Sequence, residues 1–131
     1  MNKPNKEDFK QIISLMTGDA TKNSKMKIGI STQKIFMVSS RNELILEFNH
    51  SNKEIIIRSM LINHKRRGIG SYIIDFLKKY AREKGYEKVS MIDVKFTDVE
   101  KFAKKHGFED MLTVDYRFEY KLPTEALEDV S

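Results

Sequence analysis

Hydrophobic and polar positions change period several times along the chain, and each change marks an element. Phe9, Ile12, Ile13 and Met16 fall at i, i+3, i+4 and i+7, which predicts a helix from about Asn5 to Met16. Glu7 and Asp8 sit in its first turn and Gly18 stands just past its end. Thr17 to Lys25 is polar without a period and reads as a loop or a weak, short helix. The pattern then becomes strand-like. Lys34 to Ser39 and Glu43 to Asn49 flank the turn signal Ser40-Arg41-Asn42, so they are expected to pair as a hairpin. A second turn at His50-Ser51-Asn52-Lys53 leads into a long isoleucine-rich strand, Glu54 to Ile62. Met26 to Ile30 is a candidate for one more short strand, and the short links imply a meander.

After Gly70 the period is helical again. Ile73, Ile74, Phe76, Leu77, Tyr80 and Ala81 form one apolar stripe, and Gly85 supplies its stop. Glu87 to Val94 returns to strand. Thr97-Asp98-Val99-Glu100 reads as a capping box, opening a helix that buries Val99, Phe102 and Ala103 and ends at Gly107. Asp115 to Lys121 alternates as a last strand. The order is helix, three strands, helix, strand, helix, strand. That is an α/β (α+β) chain whose mixed, mostly antiparallel central sheet is flanked by helices. One domain is expected over residues 1–121, followed by an acidic tail over residues 122–131.

Composition narrows the class. A chain of 131 residues suits one core. With 33% charged and 40% hydrophobic residues it reads as soluble and globular. The longest apolar run, Ile35 to Val38, is four residues, too short for a membrane span. Met1 to Asp8 has lysines without an apolar stretch behind them, unlike a secretory signal. There is no cysteine, which removes disulfides and thiolate chemistry and is compatible with the cytoplasm. The net charge is +5, and the tail holds Glu125, Glu128 and Asp129 with no basic residue, so residues 1–121 carry +8. Such a body either favours an anionic partner (nucleic acid, an anionic membrane surface or a phosphate-bearing small molecule) or is simply well solvated.

The segment with the clearest chemistry runs from Met60 to Ser71. It joins a predicted strand to a predicted helix and places Lys65-Arg66-Arg67 directly before Gly68-Ile69-Gly70. Glycines let backbone amides close on an anion, the first helical amides lack intrahelical acceptors, and basic side chains add charge. The dinucleotide fingerprint is disfavoured because Ile73 stands where its third glycine belongs, and the triphosphate-binding loop fails because no Gly-Lys-Ser/Thr follows.

On these residues the chain resembles the GCN5-related N-acetyltransferase (GNAT) superfamily. That family places Arg/Gln-x-x-Gly-x-Gly/Ala between a strand and a helix, and Lys65 to Gly70 matches with lysine first. The family's later Gly-Phe pair is matched by Gly107-Phe108. The resemblance covers about Phe36 to Phe108, with Tyr116 to Lys121 plausible. It implies that acetyl-CoA is the cofactor. The amides and charges of Lys65, Arg66, Arg67, Gly68, Ile69, Gly70 and Ser71 would then hold its pyrophosphate, and the strand at Met60 and Leu61 would splay to receive the pantetheine arm. The tyrosine that often protonates the leaving thiolate falls on Ala103, the asparagine seven residues earlier on Phe96, and the usual proline on Ile62.

Amine acetylation needs a base. Among Glu43, Glu47, Glu54 and Asp93, the mid-sheet Glu47 is the first candidate, with Asp93 near a strand end the second; either also reads as a solvated carboxylate. Tyr116, Tyr120 and Ser90 are the stand-ins for the absent acid, Tyr116 first. The three histidines lack metal-ligand spacing. The reading is an acetyl-CoA-dependent N-acetyltransferase that lets a primary amine, small-molecule or peptide, attack the thioester directly. It would act as a monomer or homodimer with no membrane or nucleic-acid partner. A non-catalytic CoA-binding regulator of the same fold is the first alternative, raised by Ala103 and Phe96, and a basic nucleic-acid-binding module the second.

Overall fold

Short turns after Ile30, Val38 and Asn49 force successive strands to lie antiparallel, whereas the helix between the fourth and fifth strands carries the chain back to pair them parallel. The computed structural model describes residues 4–20, 25–64 and 67–123. Within them the strands are β1 (Lys27–Ile30), β2 (Lys34–Val38), β3 (Glu43–Asn49), β4 (Glu54–Leu61), β5 (Lys88–Met91), β6 (Glu109–Asp110) and β7 (Phe118–Lys121). They form one sheet in the order β1-β2-β3-β4-β5-β7-β6, in which only β4 and β5 pair parallel. The helices are α1 (Lys10–Asp19), α2 (Ile69–Lys84) and α3 (Thr97–Lys105).

Alternation decides the faces. Ile35 and Met37, Leu44, Leu46 and Phe48, and Ile55 and Ile57 point to one side and join a core with Phe9, Ile12 and Met16 of the α1 region, Ile73, Ile74 and Leu77 of α2, and Ala103 of α3. An aromatic knot fastens the N-terminal segment to this core: Phe9 lies 4.9 Å from Tyr80, 5.3 Å from Phe76 and 5.9 Å from Phe48, centroid to centroid. Burial, helped by Asp8 and Tyr86, pushes the Tyr80 phenol up to about 12. The other face carries Phe36, Ile45, Glu43 and Glu47.

Several boundaries differ from the sequence expectation. The helix foreseen from Asn5 starts at Lys10, because the Asn5 side chain accepts from the Asp8 amide at 2.8 Å and folds residues 6–9 into a turn. It also runs through Gly18 to Asp19 instead of stopping before the glycine, and no acidic residue lies in its first turn. The capping box does not form: Thr97 is already helical, Phe96 is the N-cap, no side chain caps the end, and Glu100 pairs with Lys104 at 3.2 Å. The strand foreseen over Glu87 to Val94 is only Lys88–Met91, since Asp93 adopts φ +58. The last strand begins at Phe118 because Tyr116 adopts φ +53, and it gains an unforeseen partner in β6. Residues 124–131 of the expected acidic tail lie outside the described residues.

Phe9 is fully buried although it precedes α1. Phe9→Ala is expected to cost about 3–5 kcal/mol in a denaturant titration; a loss below about 1 kcal/mol would mean that the aromatic knot does not anchor α1.

Candidate functional site

The sheet opens at one point. β4 pairs with β5 only as far as Ile57 opposite Met91, with the Ile92 amide reaching the Ile57 carbonyl at 3.3 Å, yet it stays paired with β3 out to Leu61. The register explains why. Leu46 faces Ile57 and Ile45 faces Ser59, so Arg58 is an extra residue, a β-bulge, and a bulge bends its strand and sharpens its twist. Beyond Met91 the chain follows the other side: the Asp93 amide donates to the Asp115 carbonyl at 2.9 Å and the Val94 amide to the Tyr116 carbonyl at 3.1 Å. The β5-facing backbone edge around Met60 and Leu61 is thereby left at the mouth of a wedge, with the Leu61 side chain 58% exposed.

Beside the wedge α2 begins. Gly68 is its N-cap with φ +76, a conformation glycine adopts without strain, and no side chain caps the helix. The Tyr72 amide takes the Gly68 carbonyl at 2.9 Å, while the amides just before it belong to the orphan first turn. Gly70 is held by packing as well: a Cβ there would meet the Phe102 ring at 3.2 Å. Arg67 is exposed next to this end. The helix dipole and Arg67 put positive charge at this end, an arrangement able to attract an anion. Lys65 and Arg66 lie outside the described residues. Ser71 hydrogen-bonds His106 at 3.0 Å, and burial, then the Lys78 and Lys105 charges, hold that imidazole below its usual pKa against the opposing pull of Asp75.

The loop leading to this end is held from below by a residue the sequence pattern did not single out. Asp19, 2% exposed, ends α1, and its carboxylate accepts from the Asn63 amide at 2.6 Å, the His64 amide at 2.7 Å, the His64 ring at 2.9 Å and the Asn42 side chain at 3.3 Å. Burial alone would raise its pKa; the amides of His64 and Asn63, then the His64 ring and Asn42, outweigh that and lower it. In a helix pattern Asp19 reads as one more polar terminal residue, because its partners come from distant segments.

The proposed catalytic side chains are scattered. Glu47 sits on β3 and is gripped by both ends of the Arg58 fork at 3.0 and 3.3 Å, so it is an ion-paired carboxylate two strands away from β5. Asp93 and Tyr116 do come together across the backbone pairing beyond Met91. Both carry positive φ, the Asp93 side chain is 64% exposed, and the Lys95 ammonium lies 4.0 Å from the Asp93 carboxylate and 5.3 Å from the Tyr116 ring. Tyr116 also lines a cleft of about 400 Å³ with Lys95, Glu100 and Leu112. Glu54 is buried and its Oε2 accepts from Arg117 at 2.7 Å and from the Ser90 hydroxyl, so it is an ion-paired carboxylate. Ala103 is fully buried in the core rather than facing the cleft, and Phe96 is 70% exposed. Among the described residues no group of histidine and carboxylate side chains could hold a metal, and no helix is long and apolar enough to cross a membrane.

Residues 46–108 match the sequence model of the acetyltransferase (GNAT) family. No curated protein sequence matches the chain significantly. Among solved structures the anti-CRISPR protein AcrVA5 is similar at 24% identity, over 67% of this chain and 98% of that one, with a TM-score of 0.53. The PaiA N-acetyltransferase of Thermoplasma acidophilum, solved with coenzyme A, is similar at 16% identity over 68% and 61% of the two chains, TM-score 0.55. The GNAT-family N-acetyltransferase YhbS of Escherichia coli, also solved with CoA, is similar at 10% identity over 95% and 82%, TM-score 0.53. At these identities the likeness is one of fold.

Because its folded pKa lies below the unfolded value of 3.8, Asp19 contributes stability that is present above about pH 4 and lost as pH falls through the folded value. Melting curves between pH 5 and pH 2 are expected to fall more steeply for the wild type than for Asp19→Asn; parallel curves would remove Asp19 from the acid response.

Proposed function

We propose, from the premise that residues 46–108 form a GNAT-family segment within a GNAT fold, that this chain is an acetyl-CoA-dependent N-acetyltransferase acting on a primary amine. The observation that carries the reading is the wedge between β4 and β5 opening directly beside the uncapped, glycine-started end of α2. The site fits the cofactor in both halves: positive φ at Gly68 and the bare Cα of Gly70 leave the first amides of α2 open to a pyrophosphate, and the free edge at Met60 and Leu61 offers backbone pairing to the pantetheine amides. Arg67 adds charge at the pyrophosphate, joined in this reading by Lys65 and Arg66, with Ile69 and Ser71 contributing amides.

Bound acetyl-CoA supplies an activated acetyl group, to which the amine adds as the C–S bond to CoA breaks. The protein's part is to orient the amine and move its proton. Asp93, exposed two residues past the last β4–β5 pair, is placed to accept that proton directly or through a water, and the Tyr116 phenol beside it to donate one to the leaving thiolate. Glu47 is the weaker base, because the Arg58 fork stabilises its ionised form and occupies both oxygens. One observation favours the alternative of a CoA-binding regulator: with Ala103 sealed in the core, α3 presents no side chain at the position the family uses for its acid.

Ala103→Tyr therefore inserts a ring into a filled interior and is expected to lower stability by about 1–3 kcal/mol without raising any rate, measured by denaturation and thiol release; a faster transferase would show that the side chain reaches the cleft after all.

Acetyl-CoA is expected to raise the melting temperature of the wild type. Arg67→Ala should weaken binding roughly tenfold, the loss of one charge-assisted hydrogen bond, without changing the unliganded melt. Gly70→Val is a less clean probe, since it also presses on the Phe102 ring. Thiol release with a panel of amines separates enzyme from regulator, and no melting shift at millimolar acetyl-CoA would sink both.

A further inference from the structure

We propose that Asp19 is a positioning residue for the anion-binding end of α2, latching the β4–α2 connection at Asn63 and His64 so that the approach to Gly68 and the first α2 amides is preset for a pyrophosphate. The inference rests on the proposed CoA reading, and deepens it by assigning the loop's geometry to a side chain outside the Gly-x-Gly segment.

Asp19 is the last residue of α1, where the negative end of the helix dipole opposes a carboxylate, and its side chain is fully buried, where a charge is costly. A residue kept only to end a helix has no need of either penalty. What offsets them is a set of four N–H donors from two other segments. Two come from successive amides, Asn63 at 2.6 Å and His64 at 2.7 Å, one from the His64 ring and one from the Asn42 side chain in the β2–β3 turn. A fifth bond runs from the Asn63 side chain to the Asp19 backbone carbonyl at 2.9 Å. Asn42 completes the lock by donating to the Met16 carbonyl at 2.8 Å.

The consequence for the loop is geometric. β4 ends at Leu61 and α2 starts at Ile69, so residues 62–68 must connect them. Aiming the Asn63 and His64 amides at one buried carboxylate fixes two consecutive peptide planes, and Gly68 is fixed at the other end by its bond to Tyr72. The connection is thus anchored on both sides of the basic triplet, at Asn63 and His64 before it and at Gly68 after it. Preset groups bind without a further ordering cost, so the latch should appear in affinity for the anion and not in affinity for the rest of the ligand.

CoA and pantetheine, which lacks the pyrophosphate, separate these effects. Titration calorimetry with CoA and nuclear magnetic resonance titration with pantetheine are to be run on the wild type, Asp19→Asn and Asp19→Ala. The expected result is a CoA dissociation constant raised about tenfold or more in Asp19→Ala and less in Asp19→Asn, which keeps one acceptor oxygen, with pantetheine affinity within about twofold of wild type in both. CoA binding within about twofold of wild type in folded variants overturns the latch. So does an equal loss for CoA and pantetheine, which would mark a general disturbance of the fold. If neither Asp19 variant folds, Asn63→Ala removes a bond and leaves the carboxylate paired; about threefold weaker CoA binding supports the latch, and unchanged binding reduces Asp19 to a folding role. A wild type that binds no CoA overturns the functional reading and this inference together, whereas a wild type that binds with indifferent variants overturns the latch alone.

Discussion

Between Arg58 and Leu61, β4 keeps its hydrogen bonds to β3 but has left β5. Unpaired backbone in the middle of a sheet is costly unless water or a ligand completes it, so the position of the break is a constraint on the whole molecule. The Arg58 bulge lies immediately after the last β4–β5 pair and turns β4 away. On the other side, Asp93 and Val94 pair with Asp115 and Tyr116, drawing the chain beyond β5 toward β7. The opening is therefore held from both flanks. Its two lips carry different chemistry, an apolar strand end at Met60 and Leu61 and a pair of left-handed polar residues at Asp93 and Tyr116.

Two buried carboxylates stabilise these lips, and each does so through partners on other elements. Glu54 binds Arg117 and the Ser90 hydroxyl, tying β4, β5 and the approach to β7 together below the opening. Arg117 also reaches Asp115 at 3.3 Å and Glu119 at 3.8 Å, so this tie is part of a network of charges. Asp19 plays the corresponding part on the β4 side, for the connection above the opening. The basic surface that dominates the net charge is thus laid over a scaffold whose decisive charges are acidic and inside.

The fold was legible wherever one face of an element is buried and the other is not. The β2–β3 hairpin and α2 follow their hydrophobic periods closely, because burial dictates those periods, while β4 reads as a continuous isoleucine run, with Ile55, Ile56 and Ile57 all buried. The start of α2 is legible for a different reason: Gly68 stands just before the helical period and caps the helix. The readings that went astray depended on backbone conformations or distant partners. Nothing in the local pattern shows that Asn5 would fold residues 6–9 into a turn, or that Glu100 would pair with Lys104 instead of completing a capping box. Asp93 and Tyr116 break their strands through positive φ, which a strand-like composition does not announce. Glu47 reads as available in the sequence, but Arg58 reaches it from the neighbouring strand at 3.0 Å.

The same logic bears on how chemistry is divided at this site. The amides and charge at the start of α2, which read clearly in sequence, offer an anion-binding end, and in the proposed reading that anion lies at the far end of a pantetheine chain from the reacting carbonyl. The groups near the wedge's mouth are set by the bulge, by two strained residues and by the course of the 111–117 loop. In the proposed reading the cofactor half is built from contiguous sequence, whereas the acceptor half draws on β5, the α3 entrance and the β6–β7 connection. Phe96, Leu112, Val114 and Tyr116 of these segments are exposed, so under that reading the acceptor half would offer an amine apolar surface with Asp93 at its edge. Ala103 is buried in the core, and the proposed proton transfers therefore fall to the residues of the positive-φ turns.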